Sequence, residues 1–272
     1  MGREDYFRSD LASEARGRLG EDGNYRTERV GGFLVERLTL GERGGRLIGK
    51  GAGEYVTVHL GRLWETGENL PAAAALLGRE LWRMADAVAP SARTVLVAGM
   101  GNRHLTADAV GSLVCDALRP RGGGRRLCLF QPGVSGDTGM ESAALVKAAV
   151  DYLRPDLTLA VDALAAASME RLCTTVQLCT AGITPGSGVG NAGKELSART
   201  LGCPVVAVGV PTVADSSAIL SDALSRAGYA FDDSPLLALL ENGRRYSVSL
   251  RDADAAVACM AEVIARAIAG DA

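Results

Sequence analysis

A chain of 272 residues that is 47% hydrophobic and 22% charged is long enough to bury a large core and has the balance of an ordinary folded protein. Its net charge of −3 gives no electrostatic reason to bind nucleic acid, and the basic run from Arg119 to Arg126 reads as a solvated loop. No run approaches the ~20 apolar residues of a membrane span, and the opening MGREDYFRSD lacks the apolar centre of a signal peptide, so a cytoplasmic protein is expected. Six scattered cysteines with no CxxC pair read as free thiols in a reducing compartment. Two histidines, His59 and His104, and no HExxH leave a zinc site of the usual ligand sets poorly supported, and no cofactor is expected.

In chain order, residues 1–29 form a polar arm. From about 30 to 60 the runs GGFLVERLTL, GRLIG and EYVTVHL, separated by glycine turns, predict a small antiparallel subsheet. Asn69 stands as N-cap of a helix that tolerates Pro71 in its first turn and stops at Pro90. The rhythm then becomes strand, loop, helix. Strands are expected at Thr94–Ala98, Leu127–Phe130, Leu157–Val161, Thr175–Cys179 and Val205–Val210, and helices over 107–118, 139–153, 165–172, 213–227 and 254–269. Such alternation predicts a largely parallel sheet covered by helices on both faces.

Two aspartates stand out. Asp108 lies in the loop GMGNRHLTADAVG that follows an apolar strand, with Thr106 placed to cap the next helix. Its plainer role is a first-turn acid favoured by the helix dipole. Asp162 ends the strand LTLAV, where a carboxylate without a partner is costly to bury. If the two strands align, both acids meet at one edge of the sheet, where one pKa rises and a proton is shared. Such a pair can activate water and protonate a leaving amine. A strand-end Asp capping the next turn is the alternative.

The run Gly186-Ser-Gly-Val-Gly-Asn-Ala-Gly-Lys194-Glu195 satisfies two phosphate patterns, but neither in its working context. Glu195 stands where a P-loop needs Ser or Thr, and the glycines do not follow the first strand. A loop that brings backbone close to a peptide is the better reading. Asp137-Thr-Gly139 matches the aspartic-protease triplet but leads into a helical run, so a helix-entry turn is expected.

Four blocks together resemble the germination proteases of spore-forming bacteria: Arg8-Ser-Asp-Leu-Ala-Ser-Glu14, Gly99–Gly111, Phe130–Glu141 and the long run 161–215. The resemblance implies an endopeptidase of small acid-soluble spore proteins in the forespore or spore core, with Asp108 and Asp162 as its catalytic pair. Asn102, Gly186, Ser187, Gly188, Gly190, Asn191, Lys194 and Glu195 would support the substrate groove. It further implies a three-layer α/β/α sandwich like the hydrogenase maturation proteases, with the small N-terminal subsheet attached, and a homotetramer made as a zymogen. Asp-Leu-Ala-Ser-Glu imitates the family's cleavage site. The expected cut therefore lies between Asp10 and Leu11, leaving a short propeptide, 1–10, and a single protease domain, 11–272. The chain departs from the family pattern at Asn102-Arg103-His104, at Ala167 and within Thr180-Ala-Gly-Ile-Thr-Pro185, and its segment from Cys115 to Phe130 is shorter than the family's. A metal-assisted protease of the same fold and a catalytically silent binding paralogue are the alternatives.

Overall fold

The computed structural model describes residues 9–20, 23–119, 124–187, 193–228 and 246–270. Its strands are β1 (Gly23–Val30), β2 (Phe33–Leu40), β3 (Gly53–His59), β4 (Thr94–Gly99), β5 (Arg126–Phe130), β6 (Leu157–Ala166), β7 (Thr175–Cys179), β8 (Val205–Asp215) and β9 (Ser247–Val248). The helices are α1 (Glu42–Ile48), α2 (Leu63–Thr66), α3 (Leu70–Val88), α4 (Val110–Ala117), α5 (Ser135–Thr138), α6 (Ser142–Leu153), α7 (Ala198–Leu201), α8 (Ser216–Arg226) and α9 (Ala253–Ala269).

All nine strands join one mixed sheet in the order β1-β2-β3-β7-β8-β6-β4-β5, with β9 on the far end of β8. The centre, β5-β4-β6-β8, is parallel, as the apolar runs predict. The N-terminal strands are antiparallel and continuous with this centre, because β7 runs antiparallel to both β3 and β8. The strand at Thr175–Cys179 thus forms, but as the hinge between two kinds of pairing and not as one more parallel strand.

The period-two alternation of the central strands feeds two helical layers. Val95, Val97, Leu157, Leu159, Val206 and Val208 pack under α3, α4 and α9. Leu96, Ala98, Ala160 and Val205 face α6 and α7 across the other side. The result is the expected three-layer α/β/α sandwich. Helix α9 carries its apolar stripe Val257, Met260, Ile264 and Ile268 into the first layer and ends at Gly270, whose φ of 72° closes the last turn.

Several boundaries differ from the sequence reading. The run 165–172 is not a helix: Ala165 and Ala166 continue β6 because they pair with Val213 and Ala214, and a single 3-10 turn, Met169–Arg171, follows. Sheet pairing outweighs the modest helix preference of alanine. That pairing also holds β8 extended through Asp215, so the helix expected from 213 begins at Ser216. GRLIG forms the end of helix α1, in which Ile48 packs with Leu19 and Leu40 while Leu47 faces outward. Asn69 itself takes a left-handed φ of 62° and its side chain caps nothing. Thr106 does not cap α4 either; its hydroxyl donates to Asp254 Oδ1 at 2.5 Å. Asp137 lies in the short α5 ahead of α6, as a helix-entry turn.

Among the described residues, no helix is long and apolar enough to cross a membrane.

Candidate active site

The strand order reverses at β4: the chain moves outward to β5, then back across β4 to β6. In open α/β sheets such a switch point opens a crevice at the carboxyl ends of the strands. Both aspartates singled out in the sequence lie there. Asp108 follows β4 in the turn Thr106–Asp108, and Asp162 sits in β6 just past Val161, the last residue paired with β4.

Three glycines let the two chain segments approach. A Cβ at Gly111 would lie 2.4 Å from the Met100 backbone and 2.5 Å from Val161 O, and one at Gly99 would lie 2.2 Å from Gly111 O. Gly101 has a φ of 95° and passes so close to Asp108 that a Cβ would meet its carbonyl at 2.0 Å. The start of α4 therefore rests directly on the strand ends, and the Asp108 carboxylate folds back to accept Asn102 N–H at 2.7 Å.

Asp162 is only 4% exposed and accepts from Ala163 N–H at 2.9 Å. Burial is the main force raising its pKa well above the usual carboxyl value, and the charges of Asp108 and Asp10 add to the rise. Burial also raises Asp108, opposed by the Asn102 N–H. These are the conditions under which a buried acid retains its proton beside a second acid. Both line a cleft of about 620 Å³, together with Asn102, Gly186, Lys194 and Asp10. Among the described residues, no group of three or more His, Cys, Asp or Glu is arranged to hold a metal ion.

The other expected support residues divide. Ser187 donates its hydroxyl to Asp10 Oδ1 at 2.6 Å. Lys194 is turned to Glu141, with its Nζ 2.9 Å from Oε2, and its N–H donates to Oε1 at 3.0 Å. Glu195 pairs with Arg199 at 2.7 Å and borders a neighbouring hollow. Gly188, Gly190 and Asn191 lie outside the described residues.

The largest surprise is the arm. Residues 9–14 lie along the end of β6 and are held at nearly every polar group. Asp10 N–H donates to Ala165 O at 2.9 Å, and Ala165 N–H returns a bond to Asp10 Oδ2 at 2.9 Å. Leu11 is fully buried among Leu164, Ala166, Leu172 and Ala214. Gln177, reaching up from β7, brackets the Asp10–Leu11 bond. Its Nε2 donates to Asp10 O at 3.1 Å while its Oε1 accepts Ala12 N–H at 2.8 Å. Lys50 Nζ donates to Ser9 O at 2.8 Å. Glu14 closes the segment, accepting Ala167 N–H at 2.8 Å and Ser168 N–H at 3.0 Å, with Arg171 Nε at 3.5 Å.

Lys50, Gln177 and Arg171 were not singled out in the sequence. Gln177 had a signal, as an amide inside the apolar strand TVQLC that had to find a buried partner. Lys50 and Arg171 had none, each reading as an ordinary charge beside a turn.

A family model described as germination protease matches residues 19–231. A germination protease of Caldanaerobacter subterraneus is 38% identical over 236 residues, covering 80% of this chain and 72% of that protein. Those of Bacillus velezensis and Clostridium acetobutylicum are each 35% identical, covering 88% and 86% of this chain and 73% and 80% of theirs. A solved [NiFe] hydrogenase maturation protease from Thermococcus kodakarensis has a likeness of TM-score 0.37 at 19% identity, over 68% of this chain and 97% of that one.

Proposed function

Since the chain belongs to the germination protease family, and is therefore a peptidase of spore germination, we propose that it works as an aspartic-type endopeptidase through Asp108 and Asp162. The observation that carries this reading is the presence of both acids, with raised proton affinity, in one cleft with Asp10 of the arm. Asp162, the more deeply buried, holds the proton. Asp108 takes a proton from water as the oxygen attacks the scissile carbonyl carbon, and Asp162 gives its proton to the carbonyl oxygen. The tetrahedral intermediate then collapses, the C–N bond breaks, and the amine leaves with a proton returned through the acids.

The first substrate in this reading is the chain itself. Cutting between Asp10 and Leu11 removes residues 1–10 as a propeptide and leaves 11–272 as the protease domain. The docked arm, held by Gln177 on either side of that bond, supports this assignment. Small acid-soluble spore proteins are the later substrates, in the cytoplasm of the forespore or spore core, and the working assembly is a homotetramer. These finer points rest on family membership and on the match between the arm and the family's cleavage site.

The test is cleavage of a purified small acid-soluble spore protein, with products and the mature N-terminus read by mass spectrometry. Asp108→Asn and Asp162→Asn should each slow both self-cleavage and substrate cleavage by roughly 100- to 10,000-fold, the range of a lost general acid or base. A mature chain that begins elsewhere than Leu11 refutes the propeptide assignment. Full activity in either variant refutes the pair.

A further inference from the structure

Glu14 sits in a pocket with more donors than a turn requires. Its side chain is 9% exposed and that of Arg171 17%. Two consecutive amides, Ala167 and Ser168, donate one to each carboxylate oxygen, at 2.8 and 3.0 Å. The Ser9 hydroxyl also bonds Oε2. Arg171 is fixed in turn: its Nη1 lies 3.1 Å from Glu36 Oε2 and donates to Ser13 Oγ at 3.2 Å. The amides belong to the segment just after β6, which stays out of a helix and so leaves these N–H groups free for a ligand. Charge-assisted bonds to a largely buried carboxylate are strong and selective, because a neutral or cationic side chain leaves buried donors unmet.

We infer that the Ala167 and Ser168 amides, with Arg171, form a subsite that reads an acidic side chain four residues beyond the cut bond. It serves the arm first and a separate protein substrate afterwards. This rests on the proposed function, since it takes Asp10–Leu11 as the bond cut. It adds the receiving residues: a glutamate in that position of the substrate takes the place of Glu14, and an apolar side chain next to the cut takes the place of Leu11. Arg171 is here a specificity residue and touches no reacting atom.

The test uses the self-processed full chain and three synthetic peptides spanning residues 8–16: the natural sequence, Glu14→Gln and Glu14→Lys. The natural peptide should be cut with a kcat/KM about 10- to 100-fold above the glutamine peptide, and above the lysine peptide by more. Arg171→Glu should narrow or reverse the preference between the glutamate and lysine peptides. Because Arg171 also holds Glu36, the peptide series on the unaltered chain stands even if that variant folds poorly. Equal cutting of all three peptides overturns the subsite while leaving the protease intact.

If the chain neither processes itself nor cuts any peptide, the proposed function fails, and the subsite is judged by amide hydrogen exchange at Ala167 and Ser168 in the unprocessed chain. Glu14→Gln should speed both by about tenfold or more. Unchanged exchange overturns it.

Discussion

Two sets of carboxylates lie along β6 and the residues just past it, and they are treated in opposite ways. In the arm, Glu14 meets two backbone amides, a hydroxyl and a guanidinium, and Asp10 meets an amide and a hydroxyl. At the switch point, Asp162 is more deeply buried and accepts, among the described residues, from Ala163 N–H. Burying an ionised acid is costly unless donors replace water. The arm acids have those donors and serve as handles. Asp162 lacks them and is pushed to hold a proton. The contrast teaches that depth raises an acid's proton affinity where few donors replace the lost water, whereas an acid supplied with donors can fasten a segment.

The sharpest way to break this contrast is to open the switch point. Gly111→Ala would drive a Cβ to 2.4 Å from the Met100 backbone and 2.5 Å from Val161 O. Neither neighbour is a flexible tip, so stability should fall by about 3 kcal/mol, read as a lower urea midpoint. An unchanged midpoint would mean that the close seating of α4 does not matter for holding Asp108 against the strand ends.

Next comes the clamp on the arm. Gln177→Ala removes one donor and one acceptor from the chain around the Asp10–Leu11 bond. Losing about 1 kcal/mol for each hydrogen bond should loosen the arm, raise its sensitivity to an added protease and slow self-cleavage by about tenfold. Processing at the wild-type rate would show that the clamp is incidental.

The smallest effect concerns Asp162 and pH. Its raised pKa means that stability is fully present below the ordinary carboxyl value and falls as pH rises toward the raised one, because the unfolded chain gives up its proton first. Asp162→Asn removes this penalty while its amide oxygen can still accept from Ala163. The variant should thus be more stable than wild type at neutral pH, by about 1 kcal/mol, with the gain vanishing below about pH 4. A gain that persists in acid would indicate relieved packing in place of a retained proton.

Much of this was legible in the sequence because the central strands are long, apolar and bounded by small residues. Thr94–Ala98 and Val205–Val210 could hardly be anything else, and an aspartate closing LTLAV advertised its cost. What stayed hidden depended on partners far along the chain. Ala165 and Ala166 look helical until Val213 and Ala214 pair with them. The left-handed Asn69 and the helical GRLIG turn on local geometry that composition does not reveal. The grip of Arg171 on Glu14 spans more than 150 positions, and no local pattern encodes it.

The burial of Leu11 makes a cut at the proposed bond self-clearing. At present its N–H is an ordinary amide bonded to Ser9 Oγ at 3.0 Å, and the side chain has no exposure. Hydrolysis turns that amide into an amine with a pKa of about 8, and Ser9 departs with the released fragment. Desolvating the new ammonium ion, deprived of the Ser9 hydroxyl, costs several kcal/mol, whereas the leucine side chain contributes only about 2 kcal/mol for staying. The severed end of Leu11 is therefore drawn toward water, while Glu14, held by the Ala167 and Ser168 amides and Arg171, is the last contact of the arm to break. Under the proposed cut, a latch loosened at its severed end clears the bond for the next chain and makes the first turnover hard to reverse.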